Sequence, residues 1–283
     1  MFKTKEVVIG SLLGLAGAGV FLYGFNRMNK YNLIKDIPSS KIRSIAMGLV
    51  EVNGNVVPDK TIKTPFSNVD SVYYRYKIEE YVEHTSTDSK GMTHTTHQWQ
   101  TLADGERRIP FFAKDETGSV YVNPQGGEFN VPIKKMFLQK PGMIISLGPI
   151  VNLLKDLDKG ENVQFNASSL NLVPIDPKNI NVGGVVFGTR GPRRGDRRYY
   201  EYYIEPGENV YVMGTAANNP GVPNNVYIHK GENEPTFIIS NRSEKELLKS
   251  IMWQMIGCFA FGGIMFIAGI IMALYFAGLI GGV

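Results

Sequence analysis

Five arginines, Arg190, Arg193, Arg194, Arg197 and Arg198, fall within nine residues and form the one concentration of positive charge that could hold phosphate oxygens. A solvated loop is the ordinary meaning of such a run, and anionic lipid headgroups are the ligand it would otherwise suit. Aromatic residues do not interleave these arginines, which argues against single-stranded nucleic acid, and a net charge of +4 is too mild for duplex binding. His84, His94 and His97 lie beside Glu83 and Asp88 in EHTSTDSKGMTHTTHQW, residue types that ligate transition metals. On a strand His94 and His97 would face opposite sides, and the Ser, Thr and Gly around them predict a solvated hairpin tip, so no metal site is expected. His229 stands alone.

Nucleophilic catalysis finds no support: the chain has no G-x-S-x-G elbow, H-E-x-x-H helix or P-loop, and no cofactor is implied. The carboxylate pairs Glu79-Glu80, Asp156-Asp158 and Glu205-Glu208 fit strand ends, helix faces and turns as well as they fit an acid and base. The only cysteine, Cys258, excludes an intrachain disulfide and a cysteine-based zinc site within these residues.

Two apolar runs flank the polar middle. After a short tail of residues 1–6, Val7 to Phe25 carries no charge and as a helix reaches roughly 28 Å, close to a bilayer core of about 30 Å. Lys3 and Lys5 resemble the n-region of a signal peptide, but the run is long for one and no A-x-A site follows, so an anchor is expected. Ile251 to Val283 forms the second run, with a crossing expected near 255–277. Small residues recur every fourth position (Gly10, Gly14, Ala18; Gly269, Ala273, Ala277, Gly281), a stripe that suits helix–helix association. Arg242, Lys245 and Lys249 before the second run favour a cytoplasmic middle; the sequons at Asn166 and Asn241 point the other way. The expectation is a two-pass protein of the cell membrane.

Between residues 32 and 246, turn signals separate segments rich in β-branched and aromatic residues, which predicts a mainly β (α+β) domain. Asn53-Gly54 and Asp104-Gly105 are the strongest hairpin signals, and Thr117-Gly118 and Pro206-Gly207 are weaker ones. One amphipathic helix is expected over 142–160, packed on the core or lying on the bilayer surface. Ser243 to Glu246 reads as a capping box opening a helix into the second membrane segment. The stretch 183–198 reads as an exposed loop between two β-rich halves. Strands over 43–123 are expected to close a small barrel of the OB or SH3 type, to which strands over 199–240 add a hairpin or second sheet.

Several strands resemble the membrane ubiquitin-ligase family known as GIDE or MULAN: IRSIAMGLVEV (42–52), TPFSNVDSVYYRYKIE (64–79), PFFAKDETGSVYVNP (110–124), YEYYIEPGENVYVMG (200–214) and IISNRSEKELL (238–248). The resemblance implies a domain held beside a membrane. Eukaryotic members continue into a Cys- and His-rich RING after the second membrane helix, whereas the sequence here ends at Val283 with one cysteine. Ligase activity is therefore not expected to carry over, and a non-enzymatic binding or scaffold domain with an unknown protein partner is. The alternatives are a membrane-bound enzyme built from scattered Glu, Asp and His, or an adaptor for a separate ligase or protease. Within the resemblance, Glu201 and Glu205 are expected to fix a hairpin or meet a partner. The family's domain faces the mitochondrial intermembrane space, opposite in sense to the charge count, and the cytoplasmic reading is retained.

Overall fold

The two apolar runs fold as helices α1 (Thr4–Asp36) and α2 (Glu244–Phe276), each of 33 residues and each long and apolar enough to cross a membrane. The computed structural model describes residues 4–88, 91–139, 172–175, 192–219 and 226–280. Contacts divide the chain into two units, residues 1–40 with 242–283, and residues 41–241. The helix expected over 142–160, the sequon at Asn166 and Arg190 lie outside the described residues.

In the first unit α1 and α2 run antiparallel, Gly10 facing Gly269 and Ala273, and Gly17 facing Gly262 and Phe266. A Cβ added at Gly17 would stand 2.4 Å from the backbone nitrogen of Phe266, and one at Gly269 would stand 2.3 Å from that of Gly14. The seam runs through Gly10, Gly14, Gly17 and Gly24, all buried, and so leaves the fourfold stripe at Gly17 instead of Ala18. Alternating steps of four and three average 3.5 residues, the period that keeps one seam facing its partner along a left-handed crossing. Where the glycines end, Phe259 packs edge-on against Phe21 and Phe25, each with centroids 5.1 Å apart. The expected capping box is formed: Glu246 N–H donates to Ser243 Oγ, and Ser243 N–H to the Glu246 carboxylate, both at 3.3 Å.

The second unit is β-structure preceded by a short 3-10 turn at Ile42–Ser44. Its strands are β1 (Gly48–Val57), β2 (Ile62–Lys63), β3 (Asp70–Ser71), β4 (Tyr73–Thr87), β5 (Thr93–Arg108), β6 (Phe111–Lys114) and β7 (Ser119–Val122). They continue with β8 (Glu128–Asn130), β9 (Lys135–Gln139), β10 (Val173–Ile175), β11 (Arg197–Ile204), β12 (Asn209–Asn218), β13 (Val226–His229) and β14 (Ile238–Ser240). Strands β1, β6, β7, β13 and β12 close a five-stranded barrel, because β12 pairs with β1 as well as with β13. The β7–β13 contact is parallel, which makes this a Greek-key barrel of the OB kind. Alternate residues point inward, among them Val50, Val52, Val56, Phe111, Val120, Val122, Val210, Val212 and Ile228. A second sheet in the order β10-β9-β11-β4-β5 packs its own aromatic core of Tyr74, Tyr76, Phe137, Tyr199 and Tyr203 around Phe66.

The barrel is not closed by the early strands alone. Two of its five strands come from the later half, and β4 and β5, expected in it, belong to the second sheet. Two turn expectations also change. β1 runs straight through Asn53-Gly54, and β5 straight through Asp104-Gly105, neither glycine adopting positive φ. Gly54 is needed for closeness: a Cβ there would stand 2.9 Å from the backbone N and O of Lys114 on β6. Thr117-Gly118 does turn β6 into β7, and Pro206-Gly207 turns β11 into β12 with Gly207 at φ 82°. After that turn the two strands do not pair with each other, and each enters a different sheet.

Gly54→Val forces side-chain atoms into the β6 backbone and is expected to destabilise the fold by about 3 kcal/mol. Gly207→Ala, in open space but at positive φ, is expected to cost about 1–2 kcal/mol. Denaturant unfolding of the detergent-solubilised chain measures both, and equal costs would contradict the close-approach role of Gly54.

Candidate functional site

The arginine run starts the central strand of the second sheet, and that position decides what the side chains can do. In register, Arg197 lies opposite Glu80 and Arg198 opposite Glu79 on β4. Arg198 Nε donates to the Glu79 carboxylate, Lys77 Nζ reaches the other Glu79 oxygen at 2.5 Å, and the Arg198 guanidinium lies 4.1 Å over the Trp99 ring. Burial pushes Glu79 up, but its bonds to Lys77 and Arg198 outweigh that and hold it below the ordinary carboxylate value. Arg197 Nε stands 3.5 Å from Glu80. The remaining described arginines, Arg193 and Arg194, are exposed on the turn before β11. That turn is built by buried Asp196, which accepts from Arg193 N–H at 2.7 Å, and by Gly195, whose N–H donates to Tyr81 O. The structure therefore divides the run: two members face carboxylates within the sheet and two face solvent.

Glu201 lies on the same strand and is fully buried. Its Oε1 accepts the backbone N–H of Phe66 at 2.5 Å and of Ser67 at 3.1 Å, while Ser67 Oγ donates to Oε2 at 2.5 Å. Burial raises its pKa, and the three donors only partly offset that. Glu201 thus fastens the loop between β2 and β3 beneath the sheet and presents no atom to a partner. Glu205 is half-exposed in the turn between β11 and β12, and its N–H donates to Glu208 Oε2 at 3.2 Å. Glu208 holds this corner: Lys134 bonds its carboxylate, Asn241 Nδ2 donates to it at 3.4 Å, and its carbonyl accepts Val56 N–H at 2.8 Å. Sequence reasoning weighed Glu208 only as half of a carboxylate pair with Glu205, and it passed over Glu51, which points out of the barrel yet is fully buried and accepts from the Tyr211 hydroxyl at 2.8 Å. Alternation in β1 places Glu51 outward, but no local pattern reveals that this outer face is covered.

The histidine segment is strand almost to its end. β4 and β5 continue as a two-stranded arm past Glu80, turned at Asp88, whose N–H donates to Met92 O at 2.9 Å. His94 faces Asp88 and His97 faces Glu83, each at 3.5 Å, while Tyr81 stacks with His97 at 5.8 Å and packs on Trp99 at 5.1 Å. The histidines go to separate carboxylates, and among the described residues no three His, Cys, Asp or Glu side chains are grouped to hold a metal ion. A cleft of about 670 Å³ opens on the barrel wall between Lys41, Asn53, Asn55, Lys114, Asp115 and Asn209. Burial raises Asp115, but N–H groups of Ile42, Thr117 and Gly118 and the Thr117 hydroxyl hold it at about 2. The Lys41 bond lowers Glu116 as well. Carboxylates held down in this way are poor proton acceptors at neutral pH.

Glu201→Ala would strand two backbone N–H groups and is expected to cost about 3 kcal/mol, whereas Glu201→Gln keeps an acceptor on both and costs under about 1 kcal/mol. Because burial raises the folded-state pKa, Glu201's titration contribution is fully present below its unfolded value and is lost as pH rises through the folded one. Stability measured against pH should show that decline in the wild type and lose it in Glu201→Gln; an unchanged profile contradicts the buried-carboxylate assignment.

A family model described as GIDE, E3 ubiquitin ligase, matches residues 79–143 and 172–272, more than half of the chain. No curated protein and no solved structure matches it. The matched residues include most of the second sheet, barrel strands β6, β7, β12 and β13, and nearly all of α2, and on that match the chain belongs to the GIDE family.

Proposed function

We propose that residues 41–241 form a membrane-tethered binding module that is not itself catalytic and that faces the cytoplasm. The observation that carries this reading is the engagement of the conspicuous carboxylates. Glu51, Glu79, Asp196, Glu201 and Glu208 all accept bonds from neighbouring protein groups and do not converge on the cleft. RING-type ligase chemistry needs zinc held by Cys and His, and residues 41–241 contain no cysteine. A GIDE-type domain built this way supports recognition beside the membrane. The protruding β4–β5 arm is the surface that suits a protein partner, and exposed Arg193 and Arg194 suit anionic headgroups.

The cytoplasmic side is supported by Arg27, Lys30 and Lys35 in α1 and by Arg242, Lys245 and Lys249 around the start of α2, at the ends of the helix pair that lead into residues 41–241. Photocrosslinking residues placed at Thr85 and at Arg194 in intact membranes are expected to give discrete protein and lipid adducts respectively; adducts at neither position contradict the binding module. With Cys258 replaced by Ala, Ser86→Cys should resist a membrane-impermeant thiol reagent in intact cells and react after permeabilisation. Labelling in intact cells would place the domain outside.

A further inference from the structure

Strand β5 is the edge of its sheet along all 16 residues, with no neighbouring strand on its outer side among the described residues. Natural edges are blunted by charged side chains, proline or bulges. From Thr93 to Thr101, short of the bulge at Leu102, this edge carries no Lys, Arg, Asp, Glu or Pro, and the side chains of Thr93 to Gln98, Gln100 and Thr101 are exposed. On the β4 side of the same arm, beyond the pairing with β11 that ends at Glu80, the one acidic residue is Glu83. Beyond Glu80 the arm continues for seven register pairs, Tyr81 with Trp99 to Thr87 with Thr93, as two strands only. A lone two-stranded ribbon is marginal in water, and a third strand stabilises it. Among the described residues the arm therefore lacks a third strand on its β5 side.

We propose that this edge pairs with the β5 edge of a second copy, antiparallel about a two-fold axis at Gln98, to give one continuous sheet across a homodimer. The segment complements itself in that register. Thr95 meets Thr101 of the other copy, Thr96 meets Gln100, and His97 meets Trp99, with no like charges opposed; Thr–Thr and aromatic pairs of this kind stabilise antiparallel sheets. The contact is isologous, so the assembly closes at two. Confinement of both copies to one bilayer raises their effective concentration, which lets a short backbone-paired interface suffice. The pairing stands or falls independently of whether the module also binds another protein or a headgroup.

Disulfide trapping in native membranes tests it, using the full chain with Cys258 replaced by Ala. Gln98→Cys sits on the axis, where Cα atoms of paired residues lie about 4.5–5.5 Å apart, within disulfide range. Thr85→Cys on β4 would be separated from its counterpart by three strand spacings across the sheet and six residues along it, about 25 Å in all, and out of range. The expected result is a disulfide-linked dimer of the chain from the first variant and none from the second. Adding Thr96→Lys with Gln100→Lys sets lysine against lysine across the edge and should cut dimer yield about tenfold, while Thr96→Glu with Gln100→Lys sets opposite charges together and should restore it. Restoration separates pairing from misfolding. No dimer from Gln98→Cys, equal dimer from both positions, indifference to the charge pattern, or trapping of a different protein in its place would each overturn the proposal.

Discussion

The corner at Ile204 to Asn209 is the constraint on which the domain depends. β11 ends there and β12 begins, yet the two strands part, β11 to lie between β4 and β9 and β12 to lie among β1, β13 and β14. Each is the strand about which its sheet is assembled. Gly207 supplies the positive φ for the reversal, its N–H donates to Val56 O at 2.7 Å, and Val56 N–H returns a bond to Glu208 O. β1, the first barrel strand in the chain, is thus pinned to a turn roughly 150 residues later, and the loop entropy of that closure, which grows only slowly with length, is met by a ladder running from Gly48 to Asn55. Glu208 with Lys134 draws the approach to β9 onto the same corner.

Charge serves this architecture from within. A strand that is central to a sheet has neighbours on both edges, so its arginines and glutamates meet partners across the ladder and not in solvent. Arg198 shows the balance: its bond to Glu79 and its place over Trp99 compensate for desolvation that would otherwise make a half-buried guanidinium unfavourable. Glu201 shows the opposite limit, where burial dominates and the carboxylate is retained because loop N–H groups need an acceptor. Exposed polar and charged groups lie at the periphery, among them the arm and the Arg193–Arg194 turn.

The two long apolar helices, the β class and the capping box at Ser243 were legible because each is written in local pattern: length of apolar run, alternation, and an S-x-x-E spacing. Strand pairing was not. Asn53-Gly54 and Asp104-Gly105 carry the chemistry of tight turns, but Gly54 is small because β6 passes close to it, and a dipeptide cannot report what crosses it from sixty residues away. Pro206-Gly207 looked like the weaker signal and proved to be the pivot. The arginine run read as one patch for the same reason: spacing along the chain does not disclose that Arg197 and Arg198 enter a central strand opposite two glutamates. In the helices, small residues every fourth position suggested the seam, and only the contact surface shows that it shifts to Gly17.

Hydrogen exchange of the full chain in detergent across a denaturant series tests most directly whether the corner welds barrel and sheet into one body. Amides of Tyr199 to Ile204 and of Val210 to Met213 should become exchange-competent together, with one common opening free energy and one denaturant dependence. Barrel amides at Val50 and Val52 opening in a separate, lower-energy step while Tyr199 to Tyr203 stay protected would contradict it.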